Sequence, residues 1–182
     1  MSRQNKGECM TTFVSRIVAA GALLAVAATV PLAAQKSRPS PRFVDNGNGT
    51  VTDNQTGLMW EKKTTANVAD AYVWSTGTAP DGPVFFDFLG RLRCTNSTDG
   101  SCGLAGHYDW RIPNISELQT ILDCSQPNCI DPIFGPTAPF YVSSTTDLNH
   151  PSTVWVLYFG NGSVFTQAKN LPQQVRAVRG GQ

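Results

Sequence analysis

Cysteine supplies the clearest chemistry in this 182-residue chain. Apart from Cys9 there are four, in two close pairs. Cys94 and Cys102 bracket a polar loop, and Cys124 and Cys129 bracket Ser125-Gln126-Pro127-Asn128. An even number of thiols suits an oxidising compartment and two disulfides, for which four cysteines allow three pairings. The spacing favours local pairs, Cys94–Cys102 and Cys124–Cys129. Each would close a short loop and stabilise by about 2 kcal/mol at most. Thiolate binding of zinc is the competing chemistry. It is disfavoured because no Cys-x-x-Cys spacing occurs and His107 is the only nearby histidine. We expect no metal and no cofactor.

Catalytic residues are not in evidence. Ser143 and Ser144 lack a Gly-x-Ser-x-Gly elbow, and only His107 and His150 could act as a base. Paired carboxylates could cleave a glycoside, but that chemistry depends on a spacing between carboxyl groups that sequence does not give. Recognition suits the residues better. A sugar site pairs an aromatic face with amides and carboxylates, and Trp155, Tyr158, Asn161 and Asp147 offer that combination within a short stretch. The competing assignment puts Trp155 and Phe159 in the core and Asn161 in the service of its own turn.

The elements that must position these groups begin after a leader. Arg16 precedes an apolar run, Ile17 to Leu32, closed by the small residues Ala33 and Ala34. Residues 1–34 therefore read as a secretory signal peptide, too short and interrupted for a stable membrane span. Residues 35–42 form a basic, Pro- and Ser-containing linker, expected to be mobile. Residues 43–182 form one domain. The chain has 14 Lys+Arg and 13 Asp+Glu, and the leader removes Arg3, Lys6, Arg16 and Glu8, leaving 11 against 12. A nearly neutral domain gives no electrostatic case for nucleic acid or an anionic membrane.

Phe43 to Asp53 is a hairpin around Asn46-Gly47-Asn48-Gly49. Asp45, Asn48 and Asp53 also resemble the start of a calcium loop, but no glutamate closes it and no helix precedes it. Gly57 to Glu61 reads as a strand with Leu58 and Trp60 on one side and Met59 and Glu61 on the other. Thr64 to Asp81 is turn-rich, with few apolar anchors. Asp81-Gly82-Pro83 opens a helix whose apolar face is Phe85, Phe86, Phe88, Leu89 and Leu92. Asp109 to Ile112 is a short strand. Asn114 and Glu117 then form a capping box, and Ile115, Leu118, Ile121 and Leu122 share one helical face. Strands are expected at Tyr141–Thr146, Val154–Phe159, Ser163–Thr166 and Val175–Arg179. The product is a small α+β domain of twisted antiparallel strands and hairpins with two short helices.

Several of these stretches together resemble the Lcl C-terminal domain family, once known only as DUF1566. They are Asp45 to Asp53, Thr56 to Trp60, Trp110-Arg111-Ile112-Pro113-Asn114 with Glu117-Leu118, Ile130 to Phe134, Ser143 to Thr146, and Val175 to Arg179. The best-known member is a bacterial surface adhesin whose terminal domain binds sulfated polysaccharides. The pattern is also similar to C-type-lectin-like and formylglycine-generating-enzyme folds. The resemblance implies a lectin-like fold, with ligand near the strand and loops after Ser143. For a sulfated glycan the candidate cations are Arg111, Arg176 and Arg179; the competing assignment pairs such arginines with Glu117 or Asp109. Val142 stands where most members carry tryptophan, so an aromatic site cannot be copied across. Formylglycine-generating enzymes hold copper with cysteines late in the domain; here all four precede Asp131, so that oxidase chemistry is not expected.

These expectations converge on an exported, periplasmic or extracellular, non-catalytic domain. It would recognise a surface polysaccharide or an envelope partner in adhesion. The alternative is a self-assembling structural module, so an oligomer stays open.

Overall fold

The Asn-Gly turn closes its hairpin as the turn chemistry dictates. Strands β1 (Phe43–Asp45) and β2 (Thr50–Asp53) pair antiparallel with Asp45 opposite Val51. The Asn46 side chain holds Thr50 and Thr52 across the turn. Asp45 accepts from the Gly47 amide and from Lys62, and the Asn48 oxygen accepts from Thr50. The Asp45 and Asn48 oxygens that resembled a calcium loop thus accept bonds at the turn, and the Asp53 carboxylate accepts from Arg42, Gln55 and Thr56. The computed structural model describes residues 40–94 and 103–181. The expected signal peptide and Cys102 lie outside them.

Strand β3 (Met59–Glu61) pairs with β2, and β9 (Val178–Arg179) pairs with β3, giving the sheet order β1-β2-β3-β9. The strand expected at Asp109 to Ile112 is reduced to a single bridge, Arg111 to Val178, made by two backbone hydrogen bonds. Pro113 has no amide to continue the ladder. The last strand is likewise shorter than expected. Val175 to Ala177 are buried but belong to no strand.

Two strands escaped the sequence reading. β4 (Ala71–Val73) lies in the turn-rich stretch, and it pairs with β8 (Pro172–Gln174) in a sheet of their own. Three-residue strands carry too little alternation to stand out. The third sheet is the clearest in both readings. β5 (Phe140–Thr146), β6 (Thr153–Tyr158) and β7 (Ser163–Ala168) lie in that order, all antiparallel.

This third sheet is apolar on both faces and separates two hydrophobic cores. Tyr141 and Leu157, paired in register, face one core together with Val51, Trp60, Leu118, Ile121 and Phe134. Val142 and Val156, the next pair, face the other with Val154, Trp110, Ile112, Val84 and Phe88. Alternation along each strand produces the division. At β3 it operates as expected, sending Leu58 and Trp60 to the first core and Met59 to the second.

Two short helices fill the remaining sides. A π-helical turn, Val84–Phe88, runs directly into helix α1 (Leu89–Arg93). Its buried residues are Val84, Phe88 and Leu89, whereas Phe86 is 59% exposed and so does not belong to the expected apolar face. Phe86 is two residues from both buried anchors, Val84 and Phe88, so even regular helical spacing turns it to the far side, roughly 200° away. Helix α2 (Ile115–Thr120) starts with the expected capping box. The Asn114 side chain accepts from the Glu117 amide, and Glu117 accepts from the Asn114 amide, both at 2.8 Å. Leu118 and Ile121 are fully buried, with Ile115 and Leu122 packed beside them. No helix among the described residues is long and apolar enough to cross a membrane.

The expected mobile linker ends differently. Pro41 and Arg42 are tied to the domain: Asn54 donates to both carbonyls, and Arg42 forks onto Asp53 at 3.1 and 3.2 Å. Arg42 also donates to the Thr120 carbonyl, at the end of α2. Cys124 and Cys129 form the expected disulfide. Cys94 is also disulfide-bonded, and its expected partner is outside the described residues.

Candidate functional site

The four residues proposed from sequence for a sugar site do not converge. Trp155 and Tyr158 are three apart on β6, so alternation places them on opposite faces of the sheet. Asp147 and Asn161 flank opposite ends of that strand. Its six residues span roughly 17 Å at about 3.3 Å each. Asp147 accepts from the Asn149 amide and meets His150 Nδ1 at 2.9 Å. Its pKa is held below the usual carboxylate range, first by the His150 hydrogen bond and then by the Asn149 amide. Asn161 accepts from the Ser163 amide and so does serve its own turn. Trp155 is half-buried, and its carbonyl accepts from Ser143 Oγ, which ties that serine to the backbone.

Tyr158 has different company. Phe140 stands opposite it in register, and the rings stack with centroids 4.8 Å apart and planes 23° apart. Phe165 meets the same Phe140 edge-on at 5.8 Å. Phe140 and Phe165 are 38% and 36% exposed. The three rings form an aromatic surface at the end of the third sheet, beside the turn that carries exposed Asn161. Gly160 makes room for it: a Cβ there would stand 2.3 Å from the Tyr158 ring. Phe140 and Phe165 were missed because each looks like core material when its strand is read alone. Pairing the strands in register would have found them, since cross-strand and diagonal neighbours share a face.

The three arginines are all engaged. Arg111 donates to both Glu117 oxygens, at 2.7 and 2.6 Å, and to the Gly180 carbonyl. Burial would raise the Glu117 pKa, but the Arg111 hydrogen bonds, the Asn114 amide and the Arg111 charge outweigh it and lower it. Arg179 donates to Asp109 at 2.7 Å, and the Asp109 pKa is lowered chiefly by that bond. Both arginines follow the competing assignment made from sequence. Arg176 departs from expectation altogether. It is fully buried, between the rings of Phe134 and Tyr141, and donates to the Glu61 and Phe134 carbonyls. A cation enclosed there cannot meet a glycan at the surface, so Arg176 is removed from the candidate ligands. It organises backbone where β3, the Phe134 loop and the last segment meet.

Among the described residues, no group of three His, Cys, Asp or Glu side chains could hold a metal ion. Of the residues considered for acid–base work, Ser143 donates to the Trp155 carbonyl and His150 is bonded to Asp147. A comparison with curated protein sequences finds no match. A family model described as the Lcl C-terminal domain matches residues 49–179, well over half of the chain. That span runs from the end of the first turn to the last strand and takes in both cores, the capped helix and the aromatic surface. The chain belongs to the Lcl C-terminal domain family.

Proposed function

We propose that this is an exported recognition domain that holds a surface polysaccharide against the Phe140–Tyr158–Phe165 rings in an adhesive role. The observation that carries the reading is Phe140 packed against both Tyr158 and Phe165, with the rings left partly exposed on a domain that has two hydrophobic cores. Sugar C–H faces pack on such rings, and the Asn161 side chain at the adjoining turn offers hydrogen bonds to hydroxyls. A sulfated polymer fits less well, because Arg111 and Arg179 already hold carboxylates and Arg176 is enclosed. The signal peptide read from sequence supports delivery to the periplasm or the cell exterior.

Glycan-array and heparin-column binding of the exported chain tests this reading. Replacing Tyr158 and Phe165 together with alanine should abolish detectable array binding while thermal unfolding stays cooperative. A flat array together with no column retention at low salt removes the carbohydrate reading. Self-assembly is the second reading, and β7 favours it. This edge strand has no charged residue and no proline from Ser163 to Ala168, the usual guards against strand pairing. Sedimentation at several concentrations separates the two, because only the second requires mass to rise with concentration.

A further inference from the structure

Among the described residues, β7 bonds to β6 alone, and its other edge has no strand beside it. Which groups face outward follows from the bonds nearby. The Lys169 amide donates to the Ser152 carbonyl at 2.9 Å, one step beyond the paired Ala168 and Thr153. Bonds alternate along an antiparallel pair, so those to β6 fall on Ser163, Phe165 and Gln167. The far end of β6 agrees, since Phe159 donates the other way, to the Pro139 carbonyl beside β5. The amides and carbonyls of Val164 and Thr166 therefore point outward, and among the described residues no hydrogen bond reaches them. Ala168 differs. Its carbonyl already accepts from the Leu171 amide and from Gln173 Nε2, at 3.2 and 3.1 Å, which leaves only its amide.

Such an edge is complementary to itself. Turned about a twofold axis normal to the sheet, a second copy presents the same donors and acceptors in antiparallel order. Ala168 limits the register. Setting Thr166 against its own counterpart would oppose Val164 to Ala168, whose carbonyl is taken. Setting Val164 against the partner's Thr166 employs the two free amides and two free carbonyls of each copy, two bonds at each of two pairs and so four in all. Phe165 then stands directly opposite the partner's Phe165 in a non-hydrogen-bonded pair, where Cα atoms approach to about 4.5 Å. A ring that is 36% exposed in one copy gains an aromatic neighbour. No side chain from Ser163 to Ala168 carries a charge, so nothing on the strand repels the second copy.

We infer that two copies of the domain pair through β7 in this register, joining two three-stranded sheets into one with both aromatic surfaces on the same face. The pairing rests on the self-assembly reading above and names its partner and alignment; it does not depend on the polysaccharide reading. Sedimentation of the exported chain tests it, carried to about 1 mM so that weak association is populated. Mass should rise to two copies and stop, because a twofold contact is closed. Thr166→Pro removes an outward amide only, which an edge strand tolerates, and Thr166→Lys places a charge at the contact. Both should stay monomeric at every concentration with cooperative unfolding; if the proline variant unfolds, the lysine variant decides. Oxidation should join Phe165→Cys copies in pairs, since about 4.5 Å is within disulfide reach. Gln167→Cys copies should stay unlinked, because Gln167 stands opposite the partner's Ser163. Mass beyond two copies overturns this pairing but not self-assembly by another surface. So does association unchanged in the Thr166 variants, or linking of Gln167→Cys as readily as Phe165→Cys. Constant mass at every concentration removes both, and array binding by that monomer leaves the polysaccharide reading standing.

Discussion

The fate of three arginines shows how much a neighbour decides. Arg111 and Arg179 sit at positions from which an exposed guanidinium could reach an anion, yet each meets a carboxylate within 2.7 Å. The Arg111 fork is partly buried and doubly bonded, the arrangement in which an ion pair contributes measurably. Glu117→Gln isolates that contribution. Glutamine can still accept at the helix start through its one oxygen and keep the capping box, so the loss is confined to the Arg111 pairing: the charge and one arm of the fork. We expect urea unfolding to show about 1–3 kcal/mol less stability, and retention of most of it would mean that the pair is ornamental. Arg176 is the stricter case. One terminal nitrogen, Nη1, donates to two carbonyls while the flat head lies against two rings; a lysine ammonium could keep those bonds but not the planar contact with both rings. Arg176→Lys should cost about 0.5–2 kcal/mol by the same assay, the worth of the lost ring contacts, despite conserving charge.

Short elements hold this fold, and their boundaries are set by chemistry beside them. The six-residue α2 would not persist alone; its capping box, the Thr145 hydroxyl that accepts from Ile115, and burial of Leu118 and Ile121 make it stable here. The segment beyond α2 is closed by Cys124–Cys129, a sequence separation of 5. Chain-entropy arithmetic for so short a loop gives about 2 kcal/mol. Replacing both cysteines with serine should lower unfolding stability by that amount without loss of the fold; total unfolding would show the bridge to be essential. Gly135 fixes the loop opposite. Its φ is +77°, and a Cβ there would lie 2.0 Å from the Lys63 carbonyl oxygen, so Gly135→Ala must displace the loop from β3. The capped helix and the β6–β7 hairpin were legible because each carries its own signal, Asn-x-x-Glu or alternation around Gly-Asn-Gly. β4 and β8 were not, since three residues paired across about a hundred positions leave no local trace. For the same reason the aromatic surface was half legible: Tyr158 belongs to the hairpin, but Phe140 joins it only through cross-strand register.

Across the whole domain, carboxylates act as fasteners, and that gives the molecule an acid limit. Asp45, Asp53, Asp109, Glu117, Asp123 and Asp147 all have pKa values lowered in the folded state. Asp45, Asp109, Asp123 and Asp147 serve local turns and outer ion pairs and contribute little. The two that matter are Asp53 and Glu117. Burial works against the Asp53 carboxylate, but the Arg42 fork, the Gln55 amide and the Thr56 hydroxyl together overcome it. Because its folded pKa lies below the unfolded value, the folded state binds fewer protons and stability rises with pH. The contribution is complete above the unfolded carboxylate pKa, near 4, and is lost as pH falls through the folded one. Asp53 joins β2 to the segment before β1, and Glu117 joins α2 to the Arg111 bridge, so protonation loosens the first sheet at both ends. Urea midpoints should therefore be level from about pH 7 to 5 and fall steeply below about pH 4. In Asp53→Asn the neutral-pH midpoint should be lower and the acid limb shallower. A limb as steep as that of the unmodified chain would place the acid sensitivity elsewhere.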